Sequence, residues 1–356
     1  MPDRGRQGRQ GSPLASLAIP SQMLRHAANR VDRFGRTERL QGSLRLGRAM
    51  TGTTGSLAGK RALVFGVASE DSIAWAIAQE LANHGAKVTM GYQKRFLSRI
   101  LQLFQGKPWI EAWHECDVGI EESVQKFFQE AHAKNAAPFD MMVHCIGFAP
   151  ASALQDEVVR TTEADWNTAL TVSAYSLVRL TRFAMPHMAR DGAIVCLTYL
   201  GADRFVPGYR VMSAAKAALQ ELTRELSFTC GREKGVRVNA ISAGPIKTLA
   251  ASGVPGFDMI LDWMKHSAPL GRNINQQDVA KAAYFLLSDL GSGVTGQTLY
   301  VDGGYSIMGV PPDLDKMTLP GRAPAVPPPA APSAGTPASP PTFGGARPLV
   351  FGQKKP

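Results

Sequence analysis

The stretch that decides the fold is residues 60–85, KRALVFGVASEDSIAWAIAQELANHG. Its first seven residues form a short apolar run that ends at Gly66, which predicts a buried strand. From Ser72 to His84, apolar and small residues recur at helical spacing, and Gly85 follows where a helix would end. A strand, a glycine turn and a helix N-terminus place backbone amides where they can bind a pyrophosphate. The full G-x-G-x-x-G fingerprint is missing because Gly66 is the loop's one glycine, so an ordinary strand–turn–helix unit stays open.

Strand-like and helix-like segments alternate through the rest of the central region. Strands are predicted at 87–92, 109–118, 141–147, 193–200, 236–242 and 297–301, and helices at 121–134, 166–189 and 279–287. This alternation predicts one Rossmann-type α/β domain over residues 56–310, a doubly wound parallel sheet of about seven strands with helices on both faces. Ligands of such sheets bind at the carboxyl ends of the strands, where Gly66, Asp117, Gly147 and Tyr199 all fall.

The residue after the second predicted strand bears on the choice of cofactor. Gln93 stands where dinucleotide-binding folds usually carry an acid for the adenosine ribose, and Lys94 and Arg95 follow it. Without an acid, a 2′-phosphate could be tolerated and could pair with either cation, so both NADH and NADPH stay open. Alternatively, the two cations are simply solvated at the start of a helix.

Three residues near the middle of the chain indicate hydride-transfer chemistry. Tyr209 and Lys216 are seven residues apart, so on a helix predicted from Tyr209 to Leu219 both side chains project from nearly the same face. Tyr199 lies near the end of the strand predicted at 193–200. Two phenols and an ammonium beside a nicotinamide could stabilise the anion that hydride transfer creates. Taken alone, the pair would more simply be a half-buried tyrosine and a solvated lysine.

Seven short strings carry a family resemblance. They are GVASEDSIA (66–74), CDV (116–118), IGFAP (146–150), YLGA (199–202), Y-x6-K (209–216), VRVNAISAGPI (236–246) and VDGG (301–304). With them, the chain from about Leu57 to Gly309 resembles the short-chain dehydrogenases/reductases, and most closely the bacterial enoyl-acyl-carrier-protein reductases of type II fatty acid synthesis. Ordinary members of the superfamily space their Tyr and Lys by four residues, so the seven-residue spacing favours the enoyl reductases.

The resemblance implies a reaction and roles for the central residues. The expected reaction is NADH-dependent reduction of the trans-2 double bond of an enoyl thioester on acyl carrier protein, with NADPH as a possible donor. Tyr209 would donate a hydrogen bond to the thioester oxygen as the enolate forms, and Lys216 would bind the nicotinamide ribose. Tyr199 would orient the acyl group or supply a proton, although it could instead only pack against the nicotinamide region.

The resemblance also implies the remaining contacts, here named by the part of the ligand they would meet. They are Gly66, Ser72 and Ile73 for the pyrophosphate, Gln93, Asp117 and Val118 for the adenosine, Ile146 and Gly147 for the ribose side, Ile246, Lys247, Thr248, Leu249 and Ala250 for the nicotinamide, and Ala149 for the substrate. Two positions depart from the family pattern, because Cys145 replaces a common Ser and Lys247 a common Arg. A homotetramer and a cytoplasmic location are further expectations.

The segment from Thr248 to Ser267 resembles the family's lid over the acyl chain. Gly253, Pro255 and Gly256 precede an apolar stretch, which suits a hinge followed by a cover for a fatty chain. A plain surface helix with one apolar face would have the same pattern.

The two ends of the chain differ from the centre in composition. Residues 1–55 contain ten Arg, three acidic residues and no Lys, while residues 311–356 hold 13 of the 24 prolines. Both are predicted to be disordered tails. Their net charges of +7 and +3 account for the total of +10, because residues 56–310 contain 24 basic and 24 acidic residues. The Arg-rich leader could be an organelle transit peptide, but we favour a translation start at Met50.

Several other functional classes are not favoured. The cysteines Cys116, Cys145, Cys196 and Cys230 lack metal-binding spacing, so we expect no metal, and no apolar run approaches the length of a membrane span. The basic leader lacks interleaved aromatic residues, so nucleic-acid binding is not expected. A ketone or alcohol dehydrogenase of the same superfamily, or a nucleotide-binding relative without turnover, remain as alternatives.

Overall fold

The computed structural model describes residues 54–248, 251, 256–310 and 312. Its centre is a seven-stranded sheet with the order β3-β2-β1-β4-β5-β6-β7, and every neighbouring pair is parallel. The strands are β1 Arg61–Phe65, β2 Lys87–Tyr92, β3 Ile110–Glu115, β4 Phe139–His144, β5 Met188–Thr198, β6 Arg237–Ala243 and β7 Thr298–Val301. The predicted doubly wound parallel sheet is confirmed.

Helices cover both faces of this sheet. They are α1 Ile73–Asn83, α2 Leu97–Phe104, α3 Glu121–Lys134, α4 Ser152–Gln155, α5 Glu163–Leu170, α6 Ser176–Ala184, α7 Val211–Lys234, α8 Phe257–Ser267 and α9 Gln276–Leu287. Short 3₁₀ turns lie at Lys94–Phe96, Val158–Arg160, Met185–His187, Leu200–Ala202, Asp289–Gly291 and Tyr305–Ile307, and a π turn at Thr171–Tyr175 joins α5 to α6.

Each face of the sheet packs against its own hydrophobic core, and alternate residues of a strand contribute to the two cores in turn. Val64 packs into a core with residues of α1 and α9, whereas its neighbour Leu63 packs into a second core with residues of α3, α6 and α7. All five residues of β1 are buried, as expected for a central parallel strand. The strand order reverses between β1 and β4, so the crevice for a ligand opens at the carboxyl ends of these two strands.

Two helix predictions were wrong in part. The helix predicted from Tyr209 to Leu219 begins only at Val211, because Gly208 and Arg210 have φ angles of 79° and 50° and turn the chain before the helix starts. Tyr209 therefore lies ahead of the helix that carries Lys216. The helix predicted over 166–189 is interrupted by the π turn, and β5 already begins at Met188.

Several sequence predictions concern residues beyond the described ranges. Those for 1–55 and 311–356 lie outside them except at residues 54, 55 and 312, and so do Leu249, Ala250 and the predicted hinge glycine Gly253. Among the helices of the described ranges, none combines the length and the apolar composition of a membrane span. In the same part of the chain, no cluster of three or more His, Cys, Asp or Glu could hold a metal ion.

Candidate active site

Lys216 is a buried cation at the carboxyl ends of two central strands. It lies on α7 with 6% of its surface exposed, and its Nζ donates to the carbonyl oxygens of Leu197 at 2.8 Å and Ile146 at 3.1 Å. In the described part of the chain, no carboxylate oxygen lies within 4.0 Å of this ammonium. Burial lowers the pKa of Lys216 below its ordinary value. The fold thus holds the ammonium on two backbone carbonyls rather than in an ion pair.

Tyr199 and Tyr209 form a pair of phenols beside the turn that follows β5. Their ring centroids are 4.8 Å apart in an edge-to-face arrangement. Burial raises the pKa of Tyr199 to about 12. The pKa of Tyr209 is also raised, mainly by burial and to a smaller extent by electrostatic repulsion from Tyr199. Both hydroxyls therefore keep their protons at neutral pH and can donate hydrogen bonds. Gly201 closes the turn against the pair, where a Cβ atom would meet the Tyr209 ring.

The loop after β1 forms a compact cradle at the start of α1. The Ser72 hydroxyl accepts hydrogen bonds from the backbone amides of Ala68 at 3.0 Å and Ser69 at 2.9 Å, which folds the loop back over the helix N-terminus. Gly66 has a φ of 109°, and a Cβ there would collide with the carbonyl oxygen of Cys145 at the end of β4. A glycine with a positive φ in the loop between a strand and a helix N-terminus is compatible with a dinucleotide pyrophosphate.

The residues predicted to meet the adenosine make a contact that the sequence did not reveal. The Gln93 amide donates to Asp117 Oδ2 at 3.0 Å, while Asp117 Oδ1 accepts from the Gly119 amide at 2.9 Å. Gln93 and Asp117 therefore act as one unit. Arg95 is exposed, and its guanidinium also lies over the ring of Phe148 at 5.2 Å and over the ring of the adjoining Phe96.

The loop after β6 was predicted to cover the nicotinamide. Ile246 is buried, and the Thr248 hydroxyl accepts from the Ala251 amide at 3.2 Å. Lys247 is exposed, and its Nζ lies 3.8 Å from Asp258 on α8, in an ion pair whose side chains are both more than 80% exposed. Such a pair adds little stability. It connects the loop to α8, the helix of the predicted lid, where Met259 is 74% exposed.

A polar contact that the sequence patterns did not predict holds the turn that follows Tyr199. Asp203 Oδ2 accepts hydrogen bonds from Gln220 Nε2 at 3.0 Å and from the Tyr300 hydroxyl at 2.8 Å, joining the turn to α7 and β7. Gln220 follows Lys216 by four residues, so both lie on the buried face of α7. A Gln four residues after Lys216 was the one signal in the sequence.

A doubly wound sheet with a tyrosine pair and a buried lysine at its carboxyl edge defines a short-chain dehydrogenase/reductase. The family model described as Enoyl-(Acyl carrier protein) reductase matches residues 66–306, and this chain belongs to that family. The family resemblance inferred from the sequence is thereby confirmed.

Curated relatives and solved structures support the same assignment. The enoyl-[acyl-carrier-protein] reductase [NADH] FabI of Rickettsia bellii is 43% identical over 257 residues, which is 72% of this chain and 97% of the relative. The Nostoc enzyme of the same name is 42% identical over 260 residues, covering 72% of this chain and 99% of the relative. The crystal structure of the Aquifex aeolicus reductase (NADH) has a TM-score of 0.68 at 38% identity, and covers 71% of this chain and 99% of its own. The Anaplasma phagocytophilum reductase in complex with NAD has a TM-score of 0.69 at 35% identity, covering 75% and 99%.

Proposed function

We propose that this chain reduces the trans-2 double bond of enoyl thioesters carried by acyl carrier protein, with NADH as the hydride donor. As a member of the enoyl-acyl-carrier-protein reductase family, it is an oxidoreductase of fatty acid synthesis that acts on a carbon–carbon double bond. Relatives named for NADH and a neighbouring structure with NAD favour NADH. The Bacillus cereus enzyme, crystallised with NADP+ at 40% identity, keeps NADPH as the second candidate.

The dinucleotide would lie across the crevice between β1 and β4. We assign Gly66, Ser72 and Ile73 to its pyrophosphate and the Gln93–Asp117 unit, with Val118, to its adenosine. We assign Ile146 and Gly147 to the ribose side. The residues assigned to the nicotinamide are Ile246, Lys247, Thr248, Leu249 and Ala250. When bound, the nicotinamide supplies the hydride. Lys216 would bind its ribose hydroxyls, and its ammonium, buried at a low dielectric, adds positive potential near the reacting atoms.

Tyr209 has the central chemical role in this proposal. Hydride addition to the β-carbon moves negative charge onto the thioester oxygen, and a phenol that keeps its proton can donate a hydrogen bond to that oxygen. A donor placed where charge develops is worth about 3 kcal/mol in comparable sites. Tyr199, whose ring packs edge to face on Tyr209, would orient the acyl group beside Ala149.

The single observation that carries the proposal is the burial of Lys216 on two carbonyl oxygens, with no carboxylate oxygen within 4.0 Å among the residues that the structure describes. An unpaired ammonium is costly to bury, so a fold that keeps one at the ligand-binding edge of its sheet points to a function for its charge. An ordinary core position would carry an apolar residue or an ion pair.

The test is oxidation of NADH, and separately of NADPH, on addition of crotonyl-CoA, a trans-2-enoyl thioester. Wild-type protein should oxidise NADH rapidly, and Tyr209→Phe should lower kcat by roughly a hundred-fold because one oxyanion donor is lost. Tyr284→Phe is the matched control, since that hydroxyl donates to the Gly55 carbonyl away from the crevice. Wild-type protein that binds NADH but turns over no enoyl thioester would overturn the proposal.

The assembly and the location are further proposals, which family resemblance supports. We propose a homotetramer in the cytoplasm. Large apolar side chains on two neighbouring helices are available for subunit contacts, with Trp166 of α5 41% exposed and Phe228 of α7 67% exposed. Light scattering on the purified protein should give a mass of four chains, and a monomer at working concentration would contradict the assembly.

A further inference from the structure

The π turn between α5 and α6 places one buried serine against the crevice. Single π turns inside α-helices are frequent at functional sites, because the wider turn moves a side chain out of the helical register. Here the turn Thr171–Tyr175 carries Ser173, which is fully buried. Its hydroxyl donates to the Phe148 carbonyl oxygen at 2.8 Å and accepts from the Phe148 amide, also at 2.8 Å. One side chain thus satisfies both backbone polar groups of Phe148.

The segment held by Ser173 runs past the end of the sheet. β4 ends at His144, and residues 146–149 continue into the crevice without a strand conformation. Lys216 fixes this segment at the Ile146 carbonyl, and Ser173 fixes it two residues later at Phe148. Because this partly buried segment lies beyond the strand ladder, the two side chains supply hydrogen-bond partners that a neighbouring strand would otherwise provide.

The position of this segment matters for both ligands of the proposed function. Gly147 and Ala149, which we assigned to the ribose side and to the substrate, are the two neighbours of Phe148. A Cβ at Gly147 would come within 3.4 Å of Lys216 Nζ, so the segment passes directly beside the ammonium. A shift at Phe148 would therefore move the substrate contact while leaving the pyrophosphate cradle at Gly66 in place.

A second buried serine, at the start of α6, offers a comparison. Ser176 is also fully buried, and its hydroxyl contacts His144 Nε2 at 2.7 Å and donates to the Val172 carbonyl at 2.7 Å. Burial lowers the pKa of His144 to about 3, so this ring is neutral. Ser176 therefore stabilises the π turn and the end of β4, but it does not bond to the backbone of residues 146–149.

We propose that Ser173 is a positioning residue of the reductase, which fixes the Phe148 backbone and thereby the contact between residues 146–149 and the enoyl thioester. This inference rests on the proposed function. It assigns to Ser173 no contact with the reacting atoms. Its effect comes from the two hydrogen bonds to Phe148, and a small displacement of a substrate-positioning segment is enough to slow a reaction strongly.

The experiment compares Ser173→Ala with Ser176→Ala in steady-state kinetics with crotonyl-CoA and NADH. Both variants lose a buried hydroxyl with two hydrogen bonds, so both should lower the unfolding temperature. Ser173→Ala should also lower kcat/KM for crotonyl-CoA by roughly ten- to a hundred-fold, as expected for misplacing the substrate. The dissociation constant of NADH, measured by fluorescence, should change far less. Ser176→Ala should keep the wild-type kinetics.

Rescue variants and the contrary results complete the design. Ser173→Thr keeps the hydroxyl and should recover most of the lost activity; if it does not fold, Ser173→Cys keeps the volume and a weak donor and should give an intermediate loss. Equal kinetic losses in Ser173→Ala and Ser176→Ala, or no loss in Ser173→Ala, would overturn the inference. An inactive wild-type protein would instead overturn the proposed function, so the two failures are distinguishable.

Discussion

Arg61 and Lys216 are both buried cations, each with 6% of its surface exposed, but they lie at opposite ends of the same parallel sheet. Arg61 begins β1, and its guanidinium meets the Glu111 carboxylate, with Nη2 2.6 Å from Oε2, while also lying 4.2 Å from the centre of the Phe139 ring. Lys216 lies at the carboxyl ends of β4 and β5 and has two carbonyl oxygens as its acceptors.

The difference shows how a fold separates stability from function. At the amino ends of the strands, the positive charge of Arg61 is neutralised by the Glu111 carboxylate. Asn135 donates a hydrogen bond to the other oxygen of that carboxylate at 2.6 Å. At the carboxyl ends, the positive charge of Lys216 has no carboxylate partner among the residues that the structure describes. Breaking a buried ion pair is expensive, whereas an unpaired buried charge is itself a cost to the fold. The two cations should therefore respond to replacement in opposite ways.

The largest expected effect is the loss of activity in Lys216→Met, which removes the ammonium and keeps most of the side-chain volume. We expect kcat/KM to fall at least about a hundred-fold, because the charge near the forming enolate is gone. The free energy of unfolding in urea should stay the same or rise, since a costly buried charge is removed. Retained turnover in the folded variant would show that the ammonium is a structural group.

The next effect is a loss of stability in Arg61→Met with unchanged turnover. The variant leaves Glu111 without its cation, and because that side chain is still 18% exposed, we expect a loss of about 2–3 kcal/mol rather than the full cost of a broken buried pair. Urea unfolding measures it. The double variant Arg61→Met/Glu111→Leu is the control, and it should recover part of the stability because no charge is left alone. A kinetic defect larger than that of Lys216→Met would break the comparison.

The smallest effect is the pH dependence of stability at the amino ends of the strands. Burial pushes the pKa of Glu111 up, but hydrogen bonds from Asn135 and Arg61 outweigh it and hold the pKa below its ordinary value of 4.5. The unfolded chain then binds more protons than the folded one just below that value, so the contribution of Glu111 is present above it and is lost as the pH falls. Urea unfolding from about pH 6 to pH 3 should show a shallower acid loss in Glu111→Gln than in wild type. Parallel profiles for the two proteins would contradict the assignment.

The sequence predicted the parts of the fold that local patterns determine. An apolar run that ends at Gly66 predicted the first strand. A helical repeat that ends before Gly85 predicted the first helix, because glycine marks the end of both elements. The helix Glu121–Lys134 was predicted with the bounds that the structure shows. Family strings then placed Lys216, Tyr199 and Tyr209 in the candidate site, where the structure brings the two phenols into contact and buries the ammonium beside the end of β5.

What the sequence did not predict depends on contacts between distant segments. The start of α7 after Tyr209 rests on a positive φ at Arg210, a conformation that residues other than glycine seldom adopt and that no propensity indicates. The residues of the π turn Thr171–Tyr175 do not differ in type from those of an ordinary helix, so the sequence does not indicate the wider turn. The hydrogen bond from the Phe148 amide to Ser173 in this turn joins distant segments and is seen only in the structure. Hydrogen bonds such as Gln93 to Asp117 join residues that are 24 positions apart.

The pairing of β1 with β4 also has a consequence for the order in which this protein is made. β1, β2 and β3 are complete by Glu115, whereas the partner that closes the other side of β1 is Phe139–His144. Pairing of strands so far apart in the sequence is slow, because the entropic cost of closing the intervening loop comes before the stabilising contacts form. On a ribosome, a chain released as far as β3 can pair its first three strands. The crevice between β1 and β4 does not yet exist at that stage, so only a longer nascent chain can bind a dinucleotide there and be stabilised by it.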